Sequence, residues 1–281
     1  MSHPKPDGAE LSFEFFPPKT PQGSQKLHGV WTQLAELKPQ FFSVTYGAGG
    51  STREGTLDTV RAIQGAGHQA APHLSCVGAS RGEIQAILEQ IRSSGIGHIV
   101  ALRGDLPSGM AAVGELAHAS ELVALIRKET GSHFRVDVAC YPECHPQARS
   151  PREDLLNFKR KVEAGADAAI TQYFYNADSY FRFVDECVAE GVAVPILPGI
   201  MPIGNFSQLA RFSDACGTEI PRWLRLRMQD YGDDFASIRA FGLDVVSALC
   251  ERLLAGGAPG LHFYTLNHAD LAMEIWKRVK P

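Results

Sequence analysis

Short apolar runs without helical periodicity recur along the chain, and each is followed by a segment with apolar residues at helical spacing. The clearest run is 99–102, which has no polar face and lies between Gly97 and Gly104, so it predicts a strand buried on both faces. The eight predicted strands lie at about residues 11–16, 41–46, 69–76, 99–102, 135–143, 168–174, 195–200 and 260–266. Strands that alternate with helices pair in parallel, and eight such units predict an α/β fold, the (β/α)₈ barrel.

Length and composition suit one large domain. The chain has 281 residues, of which 44% are hydrophobic and 21% are charged, so one α/β core can be filled without a second domain. We therefore expect a single domain over residues 1–281. A longer helical pattern at 221–254 predicts extra helices before the last strand.

Charge and hydropathy argue against several classes of partner. The formal net charge is −4 and no block of like charges occurs, so we expect no nucleic-acid partner. The polar start lacks the apolar core of a signal peptide, and no apolar run reaches the ~18 residues of a membrane span. These features predict a cytoplasmic protein without a membrane partner. The six cysteines are scattered and include no C-x-x-C pair, so we expect free thiols and no metal site.

Polar side chains recur where the predicted strands end. They are Glu14, Thr45, His73, Arg103, Asp105, Tyr141, Glu143, Gln172 and Tyr264. Because the carboxyl ends of barrel strands meet at one rim, where barrels place their chemistry, we expect these side chains to converge there.

Glu14 is the unusual residue of the first strand, because it is a carboxylate among Phe13, Phe15 and Phe16. Either it faces outward from the strand, or it is buried. In the second case desolvation raises its pKa and makes it a proton donor.

Three other patterns each allow two interpretations. Arg103 and Asp105 either form an internal ion pair or belong to the site. Asn157, Arg160 and Lys161 share one helix face, which suits either a diphosphate or solvent. The glycine-rich residues 47–50 precede a candidate helix cap at 51–52 but lack the P-loop lysine, so an ordinary turn is favoured over a phosphate site.

Nine ordered motifs together resemble the methylenetetrahydrofolate reductase family. They are FEFFPP (13–18), SVTYGA (43–48), APHL (71–74), HIVALRGDLP (98–107), YPE-x-HP (141–146), DLLNFKRKV-x-AGA (154–166), ITQYF (170–174), PGI-x-P (198–202) and HFYTLN (262–267). The resemblance covers about residues 11–280 and implies a barrel that binds FAD. It also implies reduction of 5,10-methylenetetrahydrofolate to 5-methyltetrahydrofolate with NADH or NADPH, in one-carbon metabolism and methionine biosynthesis. Each hydride would pass through FAD in a ping-pong cycle.

The same resemblance implies a role for individual residues. Glu14 would be the general acid that protonates the anilinic nitrogen of the folate, and Asp105 would lie beside the flavin and lower its potential. The implied folate contacts are Glu14, Asp105, Gln172, Phe206, Tyr264 and His268. The implied FAD contacts are Thr45, His73, Arg103, Gly104, Asp105, His118, Ala119, Ala139, Tyr141, His145, Asp154, Asn157, Arg160 and Lys161.

Two positions depart from the family pattern. His118 stands where relatives often carry tyrosine, and His268 stands where they often carry an arginine that faces the substrate. These changes leave open which nicotinamide nucleotide is the donor and whether the enzyme works mainly in the oxidative direction. Because the chain ends at 281, we expect no C-terminal regulatory domain of the kind found in eukaryotic relatives.

Two other functions and one assembly remain as alternatives. A pterin-binding methyltransferase barrel would use no flavin, and a flavin- or folate-binding sensor would have lost turnover, against which Glu14 and Asp105 argue. Relatives assemble, so we expect a homo-oligomer, a dimer or a tetramer. Trp223, Leu224 and Leu226 would either form its apolar contact or pack on the barrel's own helices.

Overall fold

The computed structural model describes residues 8–46, 53–105 and 114–279. Its strands are β1 Glu10–Phe15, β2 Phe41–Val44, β3 Ala70–Ser75, β4 His98–Leu102, β5 Arg135–Cys140, β6 Ala168–Thr171, β7 Ile196–Leu197, β8 Gly199–Ile200 and β9 Gly260–Tyr264. Its helices are α1 Pro21–Ala35, α2 Arg53–Gly65, α3 Arg81–Ser93, α4 Ala119–Thr130, α5 Pro151–Glu163, α6 Ala177–Ala189, α7 Phe206–Cys216, α8 Arg222–Asp230, α9 Phe235–Ala255 and α10 Asp270–Val279.

All the strand pairs are parallel, and they follow the order β7-β6-β5-β4-β3-β2-β1-β9-β8. Because β7 and β8 are separated by one residue, the two ends of this order meet and the sheet forms a nearly closed barrel. The predicted (β/α)₈ fold is therefore confirmed. The extra helices predicted before the last strand are also present, as α8 and α9.

The predicted strand 195–200 is the element that differs most from expectation. Pro198 has no N–H to donate, so the strand is interrupted there. The halves pair with different neighbours, β7 with β6 and β8 with β9. The carbonyl of Pro198 still accepts a 3.0 Å hydrogen bond from the amide of His262, and the amide of Gly199 donates to Thr171 Oγ1 at 2.8 Å. The interruption therefore does not open the barrel.

Capping residues define where several helices begin. Thr20, Ser80 and Ser150 each accept a hydrogen bond from a backbone amide of the first turn of α1, α3 and α5. Proline occupies the first position of α1 and α5, where its missing N–H costs nothing. Because α5 carries the predicted phosphate-binding side chains, its fixed start also fixes where they point.

Two apolar clusters hold the barrel together. The larger cluster lies between the strands and the surrounding helices and includes the stacked rings of Phe13, Phe42 and Phe263. The smaller cluster consists of Phe41, Ala71, Val100 and Ile170, with Leu102 packed against it. These four residues come from neighbouring strands and form an apolar layer inside the barrel.

A buried ionic cluster lies against this inner layer. Asp137 is fully buried, with its carboxylate 2.9 Å from His98 Nε2 and 3.0 Å from Arg135 Nε. Burial would raise the pKa of Asp137, but the hydrogen bond and charge of His98, together with Arg135, lower it instead. We call Glu10, His98, Arg135 and Asp137 the lower cluster, because they lie near the amino ends of their strands.

Within the described ranges, no helix combines the length and the apolar character that a membrane crossing requires. The six cysteines are free, and four of them are buried, whereas Cys144 and Cys216 are half-buried.

Candidate functional site

A central cavity of about 520 Å³ opens at the carboxyl ends of the strands. Most of the predicted rim residues line it, so strands far apart in sequence do converge on one site. The predicted site residues along its wall are Glu14, Thr45, His73, Asp105, Ala139, Tyr141, His145, Gln172 and Tyr264. Arg103 and Glu143 are the exceptions: Arg103 does not line this cavity, and the carboxylate of Glu143 turns away from it and accepts a hydrogen bond from the amide of Glu219.

Glu14 is held by two histidines at the floor of the central cavity. Its Oε2 lies 3.3 Å from His73 Nε2 and 3.6 Å from His262 Nε2, and only 14% of its side chain is exposed. On the far side of the second imidazole, Nδ1 of His262 lies 2.7 Å from the hydroxyl of Ser12. We call Ser12, Glu14, His73 and His262 the upper cluster.

The electrostatics of the upper cluster correct one expectation. Burial alone would raise the pKa of Glu14, but attraction to His73 and His262 outweighs it and lowers the pKa from 4.5 to about 2. The predicted raised pKa is therefore wrong for the protein in this state. An ionised Glu14 favours the tautomer of His262 whose Nε2 carries the proton, so that the Ser12 hydroxyl donates to Nδ1.

A second cavity of about 450 Å³ opens beside the first. The two cavities share the side chains of Asp105, Tyr141 and His145, so they form one continuous groove across the barrel mouth. Most of the residues predicted to bind FAD line the second cavity. They are Arg103, Gly104, Asp105, His118, Ala119, Ala139, Tyr141, His145, Asp154, Asn157, Arg160 and Lys161.

Helix α5 supplies the cationic wall of this second cavity. The ammonium of Lys161 donates to the carbonyl of Ala139 at 2.6 Å, and within the described ranges no carboxylate lies within 4.0 Å of it. Burial lowers the pKa of Lys161, as expected for an ammonium without a carboxylate partner. Arg160 extends beside it and donates to Asn157 Oδ1 at 2.6 Å. The wall thus offers donors to an anion with several oxygens.

The loop after β4 joins the two cavities. Arg103 donates to Gln147 Oε1 at 2.6 Å and to the carbonyl of Gly104. Among the described residues it forms no ion pair with Asp105, whose carboxylate remains available at the boundary of both cavities. Gly104 has φ +84°, and a Cβ there would lie 2.7 Å from the Cβ of Ser75. Only glycine therefore lets the chain turn here without displacing β3.

A third cavity of about 260 Å³ continues from the central one toward α7 and α10. His268 lines it together with Asn205 and Gln208, and Tyr264 belongs to both cavities. Phe206, one of the implied folate contacts, begins α7 and packs on the large apolar cluster instead of lining any of the three cavities. Phe212, further along the same helix and 37% exposed, lines both the central and the third cavity.

The sequence model of the methylenetetrahydrofolate reductase family matches residues 2–280. The chain is 43% identical over 266 residues to the 5,10-methylenetetrahydrofolate reductases of Salmonella typhimurium and Escherichia coli, which is 94% of this chain and 88% of each relative. The chain belongs to the methylenetetrahydrofolate reductase family. A methylenetetrahydrofolate reductase (NADH) 1 of Arabidopsis thaliana is 39% identical over 279 residues, covering 94% of this chain and 47% of the plant protein.

Solved structures show the same barrel at much lower identity. A Clostridium thermocellum protein described as binding two copies of 5-methyl-5,6,7,8-tetrahydrofolic acid superposes with a TM-score of 0.69 at 15% identity. The superposition covers 97% of this chain and 94% of the other. A dihydropteroate synthase from Xanthomonas albilineans gives a TM-score of 0.52 at 13% identity, over 98% and 94% of the chains. These two matches establish the fold of this family member, not its chemistry.

Membership of the methylenetetrahydrofolate reductase family decides between the enzyme classes. It supports an oxidoreductase of one-carbon metabolism and gives no support to the methyltransferase alternative.

The sequence argument did not identify two residues of the upper cluster, Ser12 and His262. Their signal is a two-residue spacing, since Ser12 precedes Glu14 and His262 precedes Tyr264 by two positions on strands that pair side by side. The predicted loop 47–52 and most of the loop after Asp105 lie outside the described residues.

Proposed function

We propose that this chain reduces 5,10-methylenetetrahydrofolate to 5-methyltetrahydrofolate, with FAD as the hydride carrier and NADH or NADPH as the donor. The observation that carries the proposal is the continuous groove. One half has a cationic wall whose Arg160 and Lys161 form no ion pair with any described residue, and the other half ends on a buried carboxylate held by histidines. The cationic half would bind the diphosphate of a flavin cofactor. The carboxylate of the other half would supply the proton that the reduction requires.

The residues of the second cavity fit FAD. Lys161, Arg160 and Asn157 would hold the diphosphate, because each presents a donor to the second cavity and, within the described ranges, neither cation forms an ion pair. When bound, FAD would supply a two-electron carrier between the nicotinamide nucleotide and the folate. Asp105 lies at the boundary of the two cavities, where its charge disfavours additional negative charge on a bound flavin. It would therefore lower the flavin potential and favour hydride donation.

Glu14 would supply the proton that the reduction of the folate requires. Opening the five-membered ring of the folate requires protonation of its anilinic nitrogen, and Glu14 is the carboxyl group at the cavity floor. It is ionised in the free protein because of His73 and His262. A folate that fills the cavity excludes water from Glu14, which strengthens the effect of burial and favours the protonated form of its carboxyl group.

The remaining folate contacts would lie along the central and third cavities. Gln172 accepts a hydrogen bond from the amide of Tyr173, which leaves its own amide group to meet the pterin. Tyr264 donates to the carbonyl of Thr171 at 2.7 Å and shapes the wall. His268 would meet the carboxylated arm of the folate in the third cavity. Phe206 would need to leave the apolar cluster to stack on the substrate, whereas Phe212 already lines the cavity.

Anaerobic titration of the purified protein tests this proposal. We expect a yellow protein whose flavin absorbance is bleached by NADH or NADPH and restored by methylenetetrahydrofolate. Titration with methyltetrahydrofolate alone measures the oxidative direction. Purified protein that binds no FAD would refute the proposal. Flavin that is reduced by the nicotinamide nucleotide but never reoxidised by the folate would instead support a sensor.

We also propose that the protein is a homo-oligomer in the cytoplasm, with no nucleic-acid partner. The support is the dispersed charge of the sequence and the exposed apolar side chains that α8 carries.

A further inference from the structure

The end of β1 cannot continue its pairing through the backbone alone. Pro17 and Pro18 follow the strand and have no N–H, so the amide of Phe16 is the last backbone donor before them. The pairing of β1 with β9 ends at Glu14 and Tyr264. The carboxylate at the floor of the central cavity is therefore carried by the last residue of β1 that pairs with β9.

The turn after β9 continues this contact with side chains. Asn267 binds the backbone of Phe16 twice, because its Oδ1 accepts from the amide at 2.8 Å and its Nδ2 donates to the carbonyl at 2.9 Å. The hydroxyl of Thr265 donates to the carbonyl of Glu14 at 2.6 Å. The same hydroxyl oxygen accepts a hydrogen bond from the amide of Asn267 at 3.2 Å, so the two side chains act together. We call Thr265, Leu266 and Asn267 the β9 turn.

The β9 turn has a backbone conformation that its residues disfavour. Leu266 and Asn267 have φ +51° and +60°, and in the part of the chain that the structure describes only one other non-glycine residue, Lys38, has a positive φ. Left-handed conformations are unfavourable for residues that carry a Cβ, although asparagine tolerates them better than leucine does. Such strain persists only where surrounding contacts fix it, and it concentrates at functional sites. Here the fixing contacts are those to the end of β1.

Side chains on both sides of this contact border the central cavity. They are Glu14, Phe16, Thr265 and Leu266. Asn267 itself lines none of the three cavities. It can still affect the chemistry, because a catalytic group displaced by about 1 Å can slow a reaction by about 10²-fold.

We propose that Thr265 and Asn267 are positioning residues for Glu14, because they fix the end of β1 and so hold its carboxylate against the two imidazoles of the upper cluster. This inference deepens the proposed function, since it rests on Glu14 as the proton donor to the folate. Without these hydrogen bonds the end of β1 could move, and the carboxylate would leave the imidazole nitrogens that lie 3.3 and 3.6 Å from it. The hydrogen bonds reach the backbone of β1 and of Phe16, so both residues act on the carboxylate through the strand.

Asn267→Gly and Thr265→Val test the proposal on the FAD-loaded protein. Asn267→Gly removes both contacts with Phe16 while suiting the left-handed backbone, and Thr265→Val keeps the shape of the side chain without its hydroxyl. At saturating folate we expect each variant to slow folate reduction about tenfold, with flavin reduction by the nicotinamide nucleotide within about twofold of the wild type. Anaerobic stopped-flow measurement gives both rates.

Lys38→Gly is the matched control for these variants. It also replaces a left-handed residue, but Lys38 lines none of the three cavities. Both half-reactions should keep their wild-type rates in this variant.

A second measurement depends on neither flavin nor turnover. The titratable groups that face the Glu14 carboxylate are His73, His262 and Tyr264. In protein isotopically labelled at the glutamate carboxyl carbons, Glu14→Gln identifies the nuclear magnetic resonance signal of Glu14. In the wild type the imidazoles lower the pKa of Glu14 to about 2, so its signal should stay unchanged from about pH 7 to about pH 4. In Asn267→Gly and Thr265→Val the signal should begin to titrate, because a displaced carboxylate loses the attraction of both imidazoles.

Slower folate reduction together with the new titration would support the proposal. Variants in which the Glu14 signal stays unchanged, in which folate reduction keeps its wild-type rate, or in which both half-reactions slow equally would overturn it. A wild-type protein that fails to reduce the folate would instead refute the proposed function. The titration would then still decide whether Thr265 and Asn267 position Glu14.

Discussion

The barrel interior contains two buried carboxylates that histidines contact, one in the lower cluster and one in the upper. Asp137 has no exposed surface and is bonded to Arg135, whose charge is permanent, as well as to His98. Among the described residues, the carboxylate of Glu14 pairs with the imidazoles of His73 and His262 and with no permanent charge, and it borders the central cavity. The same pairing of acid and imidazole therefore stabilises charge at one level and can exchange a proton at the other.

Phe41 separates the two clusters. Its ring centre lies 4.5 Å from that of His98 and 6.0 Å from that of His262, and Ala71, Val100 and Ile170 complete the apolar layer around it. Phe41, Ala71, Val100 and Ile170 thus place apolar side chains between the two clusters. The two sites can therefore be perturbed independently.

The largest expected effect comes from Glu14→Gln, which removes the proton-carrying group while keeping its shape. We expect the reduction of methylenetetrahydrofolate to slow by a factor of about 10²–10⁴, as for loss of a general acid. Flavin reduction by the nicotinamide nucleotide needs no proton from this cluster and should be almost unchanged. Anaerobic stopped-flow measurement of the two half-reactions separates these effects.

Glu10→Gln is the matched control for that experiment, since Glu10 lies on the same strand but in the lower cluster. It should leave both half-reactions close to the wild-type rates. A Glu14→Gln protein that reduces the folate at the wild-type rate would remove the proposed distinction between the clusters.

The second expected effect is on stability. Asp137→Asn leaves the buried His98 without its carboxylate partner and leaves Arg135 with Glu10 at 3.8 Å, so we expect the free energy of unfolding to fall by about 3 kcal/mol. The half-reaction rates of the folded fraction should stay within about twofold, because Phe41 and its layer lie between Asp137 and the cavity. Chemical denaturation and stopped-flow kinetics on the same preparation give both quantities. Unchanged stability with impaired folate reduction would reverse the assignment of the two clusters.

Local hydrophobic patterns predict the alternation of strands and helices. They therefore also predict the rim at which the carboxyl ends of the strands meet. The pairing of Ser12 with His262 could not, because it depends on barrel closure between strands 250 residues apart. The pKa of Glu14 depends on the same barrel closure. An argument from its aromatic neighbours in the sequence therefore predicted a raised pKa, whereas the pKa is lowered. The break at Pro198 and the exposure of Phe212 in place of Phe206 likewise depend on how whole elements are placed.

A smaller effect concerns stability in acid. A carboxyl group whose pKa is lower in the folded than in the unfolded protein stabilises the fold above its unfolded pKa, and this contribution is lost as the pH falls through its folded pKa. For Glu14 the window runs from 4.5 down to about 2. We therefore expect Glu14→Gln to lose less stability than the wild type on acidification through this window. Denaturation curves across this pH range measure the difference, and parallel losses in both proteins would contradict the folded-state pairing with His73 and His262.

The smallest expected effect comes from Ser12→Ala, which removes the hydroxyl that holds Nδ1 of His262. Loss of one buried hydrogen bond costs about 1–3 kcal/mol, so the folate half-reaction should slow roughly tenfold, and its pH profile should shift because the imidazole tautomer is no longer fixed. Ser43→Ala is the matched control, since the Ser43 hydroxyl is also buried on a barrel strand but has no hydrogen-bond partner among the described residues. A purely structural role would lower the stability of the Ser12→Ala variant without shifting the pH profile. A shifted profile in Ser12→Ala alone would instead place His262 within the proton path to Glu14.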